Sequence, residues 1–201
     1  MHDVIYIHGA NADPDNFNYY KLILPKHKSI SPAYQMSENP YDLVENIKQQ
    51  KEREFGKKPV ILVGHSFGGI LAGWFASVYH ADVKHLITIA TPWHGTPVAR
   101  IFGWVFADPE WKHNKPNADV LNLLQKKQYV KPHTNIVCTK GSNSVAGIGG
   151  KSNDGLITCD SQIGTPPKFT KTQNIHVEAG HSGVLLNNSV TSLLQDIIEE
   201  K

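Results

Sequence analysis

Cysteine is scarce in this 201-residue chain, occurring only at positions 138 and 159. Their spacing carries no metal signature, and no leader precedes the first apolar run, so the pair reads as two free thiols rather than a disulfide. Arginine is just as rare: Arg53 and Arg100 are the only two among 20 Lys plus Arg. Guanidinium forks are the side chains best suited to phosphate, and a net charge of +2 provides no basic field, so a nucleic-acid partner is excluded. Charged residues amount to 19% against 40% apolar ones, a composition that packs into a globular core rather than staying disordered. Apolar runs stop well short of the ~18 residues that mark a transmembrane helix. The first of them, Val4 to Ile7, follows Met1 almost at once with no basic segment ahead of it, from which a cytoplasmic location is expected.

What the chain does have is an alternation of short β-branched runs and helical patterns. Strands are expected at Val4 to Ile7, Ser29 to Ser31, Val60 to Val63, Leu86 to Ala90, Ile136 to Thr139 and Ile175 to Val177. The stretches between them are long enough for crossover helices, which predicts an α/β fold with a mostly parallel sheet between two helical layers. Phe67, Ile70, Leu71, Trp74, Phe75 and Val78 mark one apolar helix face. Leu43, Val44 and Ile47 mark a weaker one, and Leu186, Val190, Leu193, Leu194 and Ile197 a third near the C-terminus. No repeat or linker divides the chain, so residues 1–201 read as a single domain. Residues 97–133 are longer than an ordinary connection. Thr96 and Pro97 start a helical pattern there, with an apolar stripe of Val98, Ile101, Phe102, Val105 and Phe106. Either this is a crossover helix packed on the sheet, or it is a lid over a site, to which Trp104 and Trp111 add aromatic surface.

The strongest chemical signal is Gly64-His65-Ser66-Phe67-Gly68, which follows a buried strand and opens a helix. A strand-to-helix turn this tight presents the central serine at the carboxyl edge of the sheet, beside the partial positive charge of a helix N-terminus. A serine hydroxyl needs a base, and the chain has 11 histidines. His181 fits best, because it lies in the loop after the last expected strand, on the same edge as Ser66. His176 would be fixed within that strand, His65 would point away from Ser66, and His8 and His94 lie in loops at the edge. An acid must orient the imidazole. Asp154 in Asn153-Asp154-Gly155 arrives at the same edge after the fifth strand, with Asp160 as the alternative six residues on. Backbone N–H groups of Phe67 and of Ala10, in the loop after the first strand, are placed to form an oxyanion hole.

Together, His8-Gly9-Ala10, Gly64 to Gly69, Asn153 to Ile157 and Asn174 to Leu186 resemble the α/β-hydrolase superfamily, and most closely the small bacterial lipases. The resemblance implies a compact three-layer α/β/α hydrolase fold and a serine hydrolase that cleaves carboxylic esters through an acyl-enzyme. In it Ser66 is the nucleophile, His181 the base, Asp154 the acid, and Ala10 and Phe67 the oxyanion donors. The same machinery serves thioesterases and amidases, and a non-catalytic binding protein on this scaffold is a further class. Thr91 to Thr96 is similar to a stretch that shapes the pocket in larger lipases. Substrate contacts are accordingly expected from Trp93 and His94, and from Phe102, Trp104 and Phe106 of the insertion. The expected partner is a small ester or lipid, with transient lipid-surface contact through the 97–133 segment. No cofactor is expected, and no cluster of acidic or histidine residues at ligand spacing suggests a metal.

Overall fold

The computed structural model describes residues 2–24, 27–36, 38–95, 114–141 and 152–200, with 114–118 as backbone only. Six parallel strands form a sheet: β1 (Val4–Ile7), β2 (Ser29–Ile30), β3 (Val60–His65), β4 (Val83–Ile89), β5 (His133–Cys138) and β6 (Thr172–Val177). Their spatial order is β2-β1-β3-β4-β5-β6. The chain runs outward from β1 to β2, then returns to the other side of β1 as β3, and continues in one direction from there. The order therefore reverses between β1 and β3, and in an open α/β sheet a crevice opens at the carboxyl ends of the strands flanking that point. The loop carrying Gly9 and Ala10 leaves β1 there, and Ser66 leaves β3 there.

Among the described residues six α-helices flank the sheet: α1 (Asn18–Ile23), α2 (Pro40–Phe55), α3 (Phe67–Val78), α4 (Asn114–Leu124), α5 (Cys159–Ile163) and α6 (Asn188–Glu199). The central strands are buried along their whole length, so alternate residues feed two separate cores. Ile5, Ile7, Val60 and Leu62 pack with Leu43, Val44 and Ile47 of α2, Leu71 and Phe75 of α3, and Leu124 of α4. On the opposite face Val4, Tyr6, Ile61 and Val63 pack with Tyr20 of α1 and Val190, Leu194 and Ile198 of α6. Full burial of each such side chain contributes about 1.5–3 kcal/mol of transfer free energy, so both helical layers are held chiefly by these residues.

The helix ends follow their sequence. Asn39 caps α2 by accepting from the Tyr41 N–H, with Pro40 in the first turn, and Asn187 caps α6 by accepting from Ser189 and Val190. Helix α4 lies within the 97–133 segment, and its Val120 and Leu124 are buried against α3, so this part of the segment is a packed crossover between β4 and β5. The apolar stripe expected over Val98 to Phe106 lies outside the described residues. Both cysteines are buried and free. Among the described residues no helix is long and apolar enough to cross a membrane.

Candidate active site

Ser66 sits between the last residue of β3 and the first of α3, with φ of 54° and ψ of −124°. A left-handed φ on a serine costs roughly 1–3 kcal/mol and persists only where the surroundings impose it. Here they are two glycines and a strand end. A Cβ at Gly64 would overlap the backbone of Gly68 and Gly69, and a Cβ at Gly68 would overlap the carbonyl oxygens of Ile7 and His8. The start of α3 is thus pressed against both β3 and the end of β1. Its amide is anchored sideways as well, since Ser66 N–H donates to the Ile89 carbonyl at 2.8 Å.

His181 Nε2 lies 3.0 Å from Ser66 Oγ, and His181 Nδ1 lies 2.7 Å from Asp154 Oδ2. A carboxylate only accepts, so Nδ1 carries the ring proton and the Nε2 lone pair faces the serine hydroxyl. The Asp154 side chain is fully buried, and each of its oxygens is occupied. Oδ1 accepts from the N–H groups of Leu156 at 2.9 Å and Ile157 at 2.7 Å, and Oδ2 accepts from His181 and from Gln162 Nε2 at 3.1 Å. This turn is built by Gly155, whose φ is 103°, and by Asn153 Oδ1, which accepts from Gly155 N–H at 2.8 Å. His181 N–H in turn donates to the Asp154 carbonyl at 2.8 Å, which joins the two residues through the main chain too. Asp160 instead lies exposed in the first turn of α5.

The cavity in front of Ser66 has a volume of about 510 Å³. Its walls include Gly9, Ala10 and Asn11 from the loop after β1, together with Asn16, Leu156, His181 and Ser182. Ala10 therefore lies on the cavity, and Phe67 is the first helical residue beyond the serine. The described walls are mostly small and polar. Trp93 is not among them. It is fully buried in the core, where its ring packs edge-on to His133 and Phe169 and its Nε1 donates to Asn135 Oδ1 at 3.2 Å. His94 is exposed, with its N–H donating to Ser161 Oγ at 3.3 Å, and it does not line the cavity. Phe102, Trp104 and Phe106, with the lipid-surface contact expected of that segment, lie outside the described residues.

His65, expected to point away from the serine, packs beside His181. Its ring lies 4.9 Å from the His181 ring, and its Nε2 donates to the His181 carbonyl at 2.8 Å. His65 follows strand alternation onto the face of Ile61 and Val63, where Ala179 and Val184 on either side of His181 also pack. Burial, and then the neighbouring His181, push the His65 pKa down to about 3, so the ring is neutral. His8 is buried as well, stacked on Tyr34 with ring centroids 4.1 Å apart, and desolvation lowers its pKa. Among the described residues no group of three or more His, Cys, Asp or Glu side chains is placed to hold a metal ion.

A parallel sheet in this order, with a serine at the strand-to-helix elbow, is the α/β-hydrolase fold. The chain belongs to the family of PGAP1-like alpha/beta domains, whose sequence profile matches residues 8–144. No curated protein matches it in sequence. Among solved structures it is similar to the mature form of the Bacillus licheniformis lipase BlEst2, at 16% identity and a TM-score of 0.66, covering 98% of this chain and 91% of that one. It is also similar to a structure from a study of the metagenome-derived lipolytic enzymes LipS and LipT. There identity is 13%, the TM-score 0.75, and coverage 99% of this chain and 94% of the other. A third is the thioesterase domain of the curacin biosynthetic pathway, at 17% identity and a TM-score of 0.61, covering 99% and 91%.

Proposed function

We propose that this protein is a serine hydrolase that cleaves carboxylic esters of small molecules or lipids. The observation that carries the reading is the unbroken line from Ser66 Oγ through His181 to the buried Asp154 carboxylate, at 3.0 and 2.7 Å. His181 Nε2 takes the Ser66 proton as Oγ attacks the ester carbonyl carbon, and the oxygen of that carbonyl becomes an anion. The Phe67 and Ala10 N–H groups bind that anion, aided by the N-terminal end of α3. The tetrahedral intermediate collapses with cleavage of the bond to the alkoxy oxygen, which leaves as the alcohol with the proton from His181. Water then adds to the acyl-enzyme by the same route, giving up one proton to His181, and the carboxylic acid departs as Oγ recovers that proton. Asp154 stays ionised throughout, holding the tautomer and offsetting the imidazolium charge.

The experiment is a chain-length series of p-nitrophenyl esters, run with a matched thioester on the unmodified protein and on Ser66→Ala. Turnover of at least one ester that disappears in Ser66→Ala supports the reading. Turnover that survives the substitution, or is absent across the series, contradicts it.

A further inference from the structure

We propose that Gln162 is a positioning residue for the acid of the triad, an inference that rests on the ester-hydrolase reading of Ser66, His181 and Asp154. Gln162 is fully buried on α5, eight residues beyond Asp154. Its Oε1 accepts from the Cys138 N–H at 2.7 Å, while its Nε2 donates to the Cys138 carbonyl at 3.1 Å and to Asp154 Oδ2 at 3.1 Å. The Cys138 main chain decides which end of the amide is which. A flipped amide would turn Nε2 against an N–H and Oε1 against a carbonyl and a carboxylate, leaving every contact repulsive. The orientation is therefore set by β5, and the donor has to face Asp154.

The backbone of Gln162 is held equally firmly. Its N–H donates to the Thr158 carbonyl at 3.1 Å, and its own carbonyl accepts from Asn135 Nδ2 at 2.8 Å. Asn135 Oδ1 accepts in turn from Thr88 Oγ1 at 2.9 Å and from the Trp93 indole. A chain of buried hydrogen bonds thus ties the amide to the middle of the sheet.

The two oxygens of Asp154 are held by different means. Main-chain N–H groups of its own turn fix Oδ1, whereas Oδ2, the oxygen facing His181, has Gln162 as its other donor. Removing that donor frees the carboxylate to rotate about the Oδ1 anchor and carries Oδ2 out of line with His181 Nδ1. Small losses of alignment in a catalytic array cost rate steeply. Gln162 does not line the cavity, so substrate binding is not expected to feel its loss.

Two variants test this. Gln162→Glu keeps an acceptor for the Cys138 N–H but turns an acceptor toward Asp154, and Gln162→Met fills similar space without the amide. Each should lower kcat for a soluble p-nitrophenyl ester about tenfold or more, with KM within about twofold. Each should also move the far-downfield proton resonance of the His181–Asp154 hydrogen bond. A folded variant with unchanged kcat overturns the proposal. So does a kcat loss accompanied by an equal rise in KM and an unmoved resonance, the pattern of general loosening. If neither variant folds, Asp154→Asn decides: the Gln162 side-chain amide protons should shift relative to the unmodified protein, and invariant signals contradict the proposal. Should the unmodified protein neither hydrolyse esters nor label at Ser66, the ester-hydrolase reading fails alone. The Gln162 signals still report whether its amide is coupled to the His181–Asp154 pair.

Discussion

His65 Nε2 donates to the carbonyl oxygen of His181 at 2.8 Å, so the residue just ahead of Ser66 holds the loop that carries His181. Two segments 116 residues apart in sequence are joined by one neutral imidazole. Replacing His65 with Leu leaves the His181 carbonyl without that donor and lets the base drift from Ser66. The expected result is a fall in kcat of about tenfold with the fold retained, read by steady-state kinetics and circular dichroism. An unaltered kcat would make the contact a bystander.

Asp154→Asn should lower kcat by about three orders of magnitude, because an amide that donates toward His181 Nδ1 stabilises the wrong tautomer. Asp160→Asn, on the exposed first turn of α5, should stay within about twofold. Paired kinetics on the two variants decide between the acids. The opposite ranking would move the role to Asp160.

How much of this was legible in the residues depends on how local each signal is. The strands and α3 follow from alternation, β-branching and helical spacing, which are properties of short windows. Ser66 and Asp154 announce themselves by glycine-flanked turns, and His181 by its place after the last strand. Helix α4 gives no separate signal within the long 97–133 segment because its apolar residues make only a short stripe. Trp93 reads as a pocket residue because Thr91 to Thr96 is similar to a stretch that shapes the pocket in larger lipases, yet Gly73 opposite it leaves room for the ring to sink into the core. Gln162 carried no signal at all, since its partners lie 24 and 8 residues away and are mostly main-chain groups.

Gly68→Ala tests whether the elbow is as tightly seated as its geometry requires. A methyl group there would strike the carbonyl oxygens of Ile7 and His8, which are backbone and cannot swing aside. The expected loss of stability is about 1–3 kcal/mol by thermal or urea unfolding. Activity should fall further than stability, because the displaced strand end carries Gly9 and Ala10. A variant as stable and active as the parent would show that α3 is free to shift.

Acid should destabilise the fold well before carboxylates titrate. Burial pushes His65 and His133 down to about 3 and His85 to about 4, from an ordinary value of 6.5. Below pH 6.5 the unfolded chain takes up protons that the folded chain refuses, so unfolding free energy falls as pH falls through that window. Each histidine contributes up to about 1.4 kcal/mol per pH unit, fully present above 6.5 and lost toward 3. Urea unfolding at pH 7, 5.5 and 4.5 should give steadily lower midpoints, with a shallower trend in His133→Gln. A flat profile would mean that these rings are hydrated.

The most direct measurement is intact-protein mass spectrometry after treatment with a fluorophosphonate, with the adduct mapped by peptide sequencing. An activated serine displaces fluoride and gains one phosphonyl group, whereas an ordinary serine does not react. A single adduct is expected on Ser66 of the unmodified protein, none in Ser66→Ala, and slow labelling in Asp154→Asn. An adduct that persists in Ser66→Ala, or no adduct on a folded unmodified protein, would contradict the serine-hydrolase reading.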